Sequence, residues 1–146
     1  MTSTISVCIP CIAKHIPLIQ RCIHSIYNQT VLPNEVIISI SNIENETGLY
    51  DTIKHMQGLC KLYKTLNIKP LYSREKKYAG ENRNTAISLA TGDLITFIDA
   101  DDYMFINRIA ILKQIFITTP ECLGLLHHFI ENDTTGMNDD KPYNNS

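Results

Sequence analysis

Three carboxylates stand within four residues at Asp99-Ala100-Asp101-Asp102. Held that close they repel one another, and a cation between them relieves the repulsion. Hard divalent ions such as Mg2+ and Mn2+ take oxygen ligands, often one or two carboxylates together with substrate phosphates. The chemistry on offer is therefore a metal–diphosphate site. The plainer alternative is that Asp101 or Asp102 caps the N-terminus of the next helix, as aspartates commonly do. A second polar group, Gly80-Glu81-Asn82-Arg83-Asn84, opens an expected helix. A helix N-terminus carrying an arginine can contact an anion or a base, or can be no more than a solvated first turn. Lys76 and Lys77 just before it would add positive potential, although a flexible surface pair is the simpler reading.

Cys8 and Cys11 form a C-x-x-C with His15 behind them. A structural zinc site usually needs a second ligand pair, which is missing, and a thioredoxin-like motif would open a helix, whereas Cys8 lies in an apolar, strand-like run. With Cys22, Cys60 and Cys122 the count is five, odd and scattered through apolar stretches, which points to reduced, buried thiols. His127 and His128 are adjacent in an apolar run, so on a strand they would face opposite ways and could not share a metal.

The elements that must position these groups follow from composition and periodicity. The 146 residues are 44% hydrophobic with a formal net charge of −2. That suits one domain with a sizeable core and argues against the basic stripe a nucleic-acid surface needs. No run approaches the ~20 apolar residues of a membrane span, and the start lacks the basic segment of a signal peptide. An intracellular, cytoplasmic protein is expected, in a host's cytoplasm if the source is a virus.

Short apolar runs alternate with longer amphipathic ones. Ile5 to Ile9 reads as a buried strand ended by Pro10, and Val36 to Ile40 is continuous and β-branched, as an interior strand should be. Ile68 to Tyr72, Leu94 to Ile98 and Leu123 to Ile130 supply three more. Helical spacing runs through Ile16–Ile26, Leu49–Leu66 and Ile106–Phe116. A further helix spans Gly80 to Thr91, with Gly92 as its expected C-cap. Such alternation implies right-handed βαβ units and a mostly parallel sheet in a three-layer α/β/α domain. Ligands of such sheets bind outside the carboxyl ends of the strands. Residues 1–130 form this domain, and 131–146, polar and rich in Asn and Asp, read as a flexible tail. A G-x-G-x-x-G after the first strand, a Walker loop and a G-x-S-x-G elbow are all missing.

The stretch from Asn82 to Asp102, NRNTAISLATGDLITFIDADD, resembles the core of the family 2 glycosyltransferases. In that family an A-R-N, a helix ending in A-x-G-[DE], an apolar strand and a D-[AS]-D-D follow at this spacing. Ile5 to Pro10 resembles its first strand. Gln29-Thr30, Pro33 and Glu35 to Ile38 resemble its Q-T-x-x-P-x-E-I-I. The resemblance covers roughly residues 5 to 130. It implies a GT-A (nucleotide-diphospho-sugar transferase-like) fold, truncated or minimal in so short a chain.

It also implies metal-assisted sugar transfer from a nucleotide-diphosphate donor, a UDP-sugar first and a GDP-sugar second, to a glycan, protein or lipid acceptor. By position, Asp101 with Asp99 would ligate Mn2+ or Mg2+, Asp99 would contact the ribose, and Ala100 would belong to the donor site. Arg83 would lie by the base or diphosphate, and Pro10, Cys11 and Ile12 would line the nucleoside pocket. Where the family usually carries D-D-G-S, this chain reads Ser39-Ile40-Ser41-Asn42, so a base contact comes from Ser41 or Asn42 or is absent. The family draws its general base from a carboxylate well beyond the D-x-D; Glu131 and Asp133 follow the fifth strand, but nothing marks either one. The alternative is a non-catalytic nucleotide-sugar-binding module without the acceptor half and its base.

Overall fold

In the computed structural model, residues 3–121, Gly124, 129–132 and 138–143 are described, the last two segments by backbone alone. Four parallel strands form one sheet: β1 (Ile5–Ile12), β2 (Glu35–Ser41), β3 (Ile68–Tyr72) and β4 (Leu94–Phe97), in the order β3-β2-β1-β4. β1 and β2 lie in the middle, which is why their sequences are almost continuously apolar. A 3-10 helix (Ala13–Leu18) leads into α1 (Ile19–Tyr27); α2 (Glu46–Leu62), α3 (Ala79–Leu89) and α4 (Arg108–Thr118) complete the described helices.

The side-chain period of two splits the core between the two faces of the sheet. Ile5, Val7, Ile9 and Cys11 of β1 with Val36, Ile38 and Ile40 of β2 pack against α1, α2 and α4. The opposite face is thinner, with Cys8 and Ile37 under Ala86 of α3. This is the expected three-layer arrangement. Cys8 and Cys11 face opposite sides of the sheet and belong to no joint site. Cys8, Cys11, Cys22 and Cys60 are all free thiols.

Several local expectations shift. β1 does not end at Pro10 but runs on to Ile12, pairing Pro10 with Ser39 and Ile12 with Ser41. The β1–β4 ladder stops at Cys8↔Phe97, and Cys8 accepts from Ile98 N–H on that side. The Pro10 nitrogen faces the same way, where no partner strand demands a donor. Gly92 is not a helix cap: α3 ends with Ala90 in the capping position. Gly92 instead presses on β1, where a Cβ would sit 2.6 Å from Ser6 Oγ and 2.7 Å from Ser6 N. α4 begins at Arg108 with Asn107 before it, so Asp101 and Asp102 do not cap it, and Ile106 is exposed outside the helix.

Of the run Leu123 to Ile130, the backbone is described at Gly124, Phe129 and Ile130. β5 (Phe129–Asn132) pairs antiparallel with β6 (Asn138–Tyr143) in a separate two-stranded sheet, so a strand lies within the segment read as a tail. His127, His128 and Cys122 lie outside the described residues. No helix among the described residues is long and apolar enough to cross a membrane.

Candidate functional site

β3 lies on one side of β1 and β4 on the other, so the chain reverses its winding between them and leaves a crevice at their carboxyl ends. A cleft of about 250 Å³ opens there, lined by Pro10, Cys11 and Ile12 from the end of β1, Asp99, Ala100 and Asp101 from beyond β4, and His15, Ala79 and Asn82. Six of these residues are among those the family resemblance assigned to the donor and metal site. Asn82 belongs to the polar group at the start of α3, His15 stood behind the C-x-x-C without a role in this site, and Ala79 is an addition.

The acidic segment turns sharply, with Asp102 N–H donating to the Asp99 carbonyl at 3.0 Å. That turn brings one carboxylate oxygen each from Asp99, Asp101 and Asp102 to within 4.8 Å of one another. Partial desolvation and the neighbouring charges of Asp101 and Asp99 push the Asp102 carboxyl above the usual range, against the pull of Arg21 and Arg108. A set of hard oxygen donors that close together, accessible from solvent, suits a divalent cation of the Mg2+ or Mn2+ type.

Asn82, in the first turn of α3, is 1% exposed and forms the wall between α3 and the sheet. Its Oδ1 accepts from Ser39 Oγ at 2.9 Å, and its Nδ2 donates to Ser41 Oγ at 2.8 Å and to the Cys11 carbonyl at 3.4 Å. Ser41 therefore does not line the cleft; it is buried and holds Asn82, which does. Asn42 follows with a left-handed backbone (φ 61°), tolerated by Asn, and its Oδ1 accepts from Lys77 N–H at 2.8 Å. Arg83, one residue after Asn82, donates from Nη2 to Asp99 Oδ1 at 3.1 Å.

Burial pushes the Cys11 thiol up to about 12, with Asp101 adding to it, so it is a neutral part of the wall and no nucleophile. Arg108 donates to the Phe97 carbonyl at 2.7 Å and to Thr96 Oγ1 at 3.0 Å, fixing the end of β4 from beneath. Glu131 lies in β5, and Asp133 lies outside the described residues.

A family model, glycosyl transferase family 2, matches residues 6–145. No curated protein sequence matches the chain. Among solved structures, S. aureus TarS 1-349 is 22% identical with a TM-score of 0.63, covering 79% of this chain and 32% of that one. The mannosyltransferase PcManGT from Pyrobaculum calidifontis, in complex with GDP-Man and Mn2+, is 20% identical with a TM-score of 0.62, covering 79% and 32%. TarS 1-349 is also known in complex with UDP-GlcNAc, there at 21% identity and a TM-score of 0.60, covering 79% and 31%. The chain thus spans about a third of the length of these structures.

Proposed function

The chain belongs to glycosyl transferase family 2 and has the GT-A fold of its solved neighbours, and from that premise we propose that it binds a nucleoside-diphosphate sugar in the cleft between β1 and β4 and serves transfer of the sugar to an acceptor. The observation that carries this reading is the meeting, in one cleft at the sheet's switch point, of Asp99, Ala100 and Asp101 with Pro10, Cys11 and Ile12. Family membership supports the reaction class. The UDP, UDP-GlcNAc and GDP-Man bound by the neighbours support the donor class, with a UDP-sugar first and a GDP-sugar second.

In this reading the nucleoside lies against the apolar end of β1 and Asp99 meets the ribose. Asp101 with Asp99 holds Mn2+ or Mg2+, with Asp102 in reach of the same ion. Once bound, the ion supplies charge neutralisation for the departing diphosphate. Arg83 adds a guanidinium beside the anionic part of the donor. Asn82 keeps α3 at a fixed distance from β1 and β2, and so sets the width of the cleft. A cytoplasmic location and a glycan, protein or lipid acceptor complete the proposal; Glu131 and Asp133 remain the carboxylates to test as general base.

The second reading is a nucleotide-sugar-binding module without turnover, in which the cleft and its acidic turn hold the donor and nothing more. Calorimetry with UDP and GDP, with and without Mn2+, followed by donor hydrolysis on the same sample, separates the two. The enzyme reading expects Mn2+-dependent UDP binding and slow hydrolysis of UDP-sugar, with D101N losing at least tenfold in the Mn2+-dependent affinity. Binding without hydrolysis or transfer favours the module. Failure of both nucleotides to bind in the presence of Mn2+ refutes both.

A further inference from the structure

Beside its buried stripe of Ile19, Cys22, Ile23 and Ile26, α1 presents a polar row at four-residue spacing: Arg21, Ser25 and, just past its end, Gln29. All three bond to the backbone of the segment that joins β4 to α4. Arg21 Nη2 donates to the Asp101 carbonyl at 2.6 Å, and Ser25 Oγ accepts from Met104 N–H at 2.8 Å. Gln29 Nε2 donates to the Phe105 carbonyl at 2.5 Å, while its Oε1 accepts from Ile109 N–H at 3.1 Å. Thr30 N–H reaches the Ile106 carbonyl at 2.9 Å. A segment without a ladder of its own must find partners for its backbone groups, and here α1 supplies them.

Ser25 and Gln29 are neutral and bond beyond the acidic turn. Arg21 is the charged member and grips the turn itself. Its guanidinium also lies over the Tyr103 ring, 5.4 Å from the centroid. It takes the main-chain oxygen of Asp101 and leaves the carboxylate oxygens free, unlike Arg83, which takes one from Asp99.

We infer that Arg21 is a positioning residue for the Asp99–Asp102 turn: by fixing the Asp101 peptide it keeps three mutually repelling carboxylates gathered where a divalent ion can bridge them. This role rests on the donor-site reading above and deepens it. Coulomb repulsion between the guanidinium and a bound cation acts in the opposite sense. The sign of the effect of removing Arg21 therefore tells positioning from mere charge.

The full chain is compared as wild type, R21A and R21Q. The measurements are binding of Mn2+ alone by the loss of free-ion EPR signal, UDP binding with Mn2+ and in EDTA, thermal unfolding, and amide exchange at Asp102 and Met104. R21A is expected to weaken Mn2+ binding about tenfold, to speed exchange at those two amides, and to leave UDP affinity in EDTA within twofold of wild type. R21Q, which keeps a donor and loses the charge, should fall between. Unchanged or tighter Mn2+ binding in R21A overturns the inference. So does a parallel fall of Tm, metal-free UDP binding and metal binding, which would mark a merely structural residue. A wild type that binds neither Mn2+ nor UDP refutes the donor-site reading and takes this role with it, whereas a binding wild type with a silent R21A sinks the inference alone.

Discussion

Replacing Glu35 by glutamine tests how the far end of the sheet holds the site. Glu35 opens β2, is 2% exposed, and collects three donors: Ser6 Oγ at 2.6 Å, Thr91 N–H at 2.6 Å and Lys69 Nζ at 2.7 Å. Burial alone would push its carboxyl up. Lys69, Ser6 and Thr91 outweigh burial and hold it at about 2, against 4.5 for a free glutamate. At 1.36 kcal/mol per pH unit of displacement, that is worth about 3 kcal/mol at neutral pH, out of a total stability of roughly 5–15 kcal/mol. Because the folded-state value is depressed, the contribution is present above pH ~4.5 and is lost as the pH falls from there toward 2.

Glutamine keeps one acceptor but turns an N–H2 group toward donors, so E35Q should lose about 2–4 kcal/mol at pH 7. Urea unfolding at pH 7, 5 and 3 checks this: the gap between wild type and E35Q should be full at pH 7 and narrow markedly at pH 3. Lys69 is 37% exposed, so its share should shrink in high salt while the Ser6 and Thr91 shares persist. A gap below 1 kcal/mol at pH 7, or one that does not change with pH, would refute the reasoning.

Two further substitutions probe the same scaffold. N82A strips the Ser39 and Ser41 hydroxyls and the Cys11 carbonyl of a buried partner and should cost about 2–4 kcal/mol, read as a lowered Tm, together with weaker UDP binding in calorimetry; a Tm within a degree of wild type would contradict it. G92A drives a methyl group against the backbone and hydroxyl of Ser6 and should cost about 1–3 kcal/mol in urea unfolding, with no direct effect on the cleft some four strand residues away along β1; a neutral outcome would mean that β1 yields more readily than a central strand should.

The sheet was legible because β1 and β2 are buried on both faces, and such strands must be apolar along their whole length. The misreadings share one cause, that the deciding contact is tertiary. Pro10 ends a strand by local rules, yet it is tolerated because the β4 ladder has already stopped on the side its nitrogen faces. Gly92 has the look of a helix cap, but what excludes a side chain there is Ser6, 86 residues away. Asn82 sat inside a polar group whose default is solvent, and only the approach of α3 to β1 and β2 buries it. The row Arg21, Ser25, Gln29 was visible as a four-residue period, but its meaning depends on where the segment after β4 passes. The acidic residues were legible as a cluster after the fourth strand without such knowledge, whereas Pro10, Cys11 and Ile12 were placed by the family resemblance, and the parallel pairing of β1 with β4 is what brings the two groups to one cleft.

The pairing of Arg83 with Asp99 bears on how that cleft can exchange partners. Both side chains are well exposed, at 39% and 49%, and the contact is a single hydrogen bond at 3.1 Å. An ion pair of that kind is worth about 0–1 kcal/mol, little more than thermal energy. Asp99 is therefore held loosely by its side chain, while the backbone around it is held firmly by Arg21 at the Asp101 carbonyl and by Arg108 at the Phe97 carbonyl. These two arginine bonds go to main-chain oxygens and the weak one to a carboxylate. On the donor-site reading proposed above, a cation would claim Asp99 at almost no cost and would free the Arg83 guanidinium for the anionic part of the donor. A site that had to break a buried, bidentate pair to admit its ligand would forfeit several kcal/mol of affinity. This one keeps its strong bonds for shape and leaves its charges available.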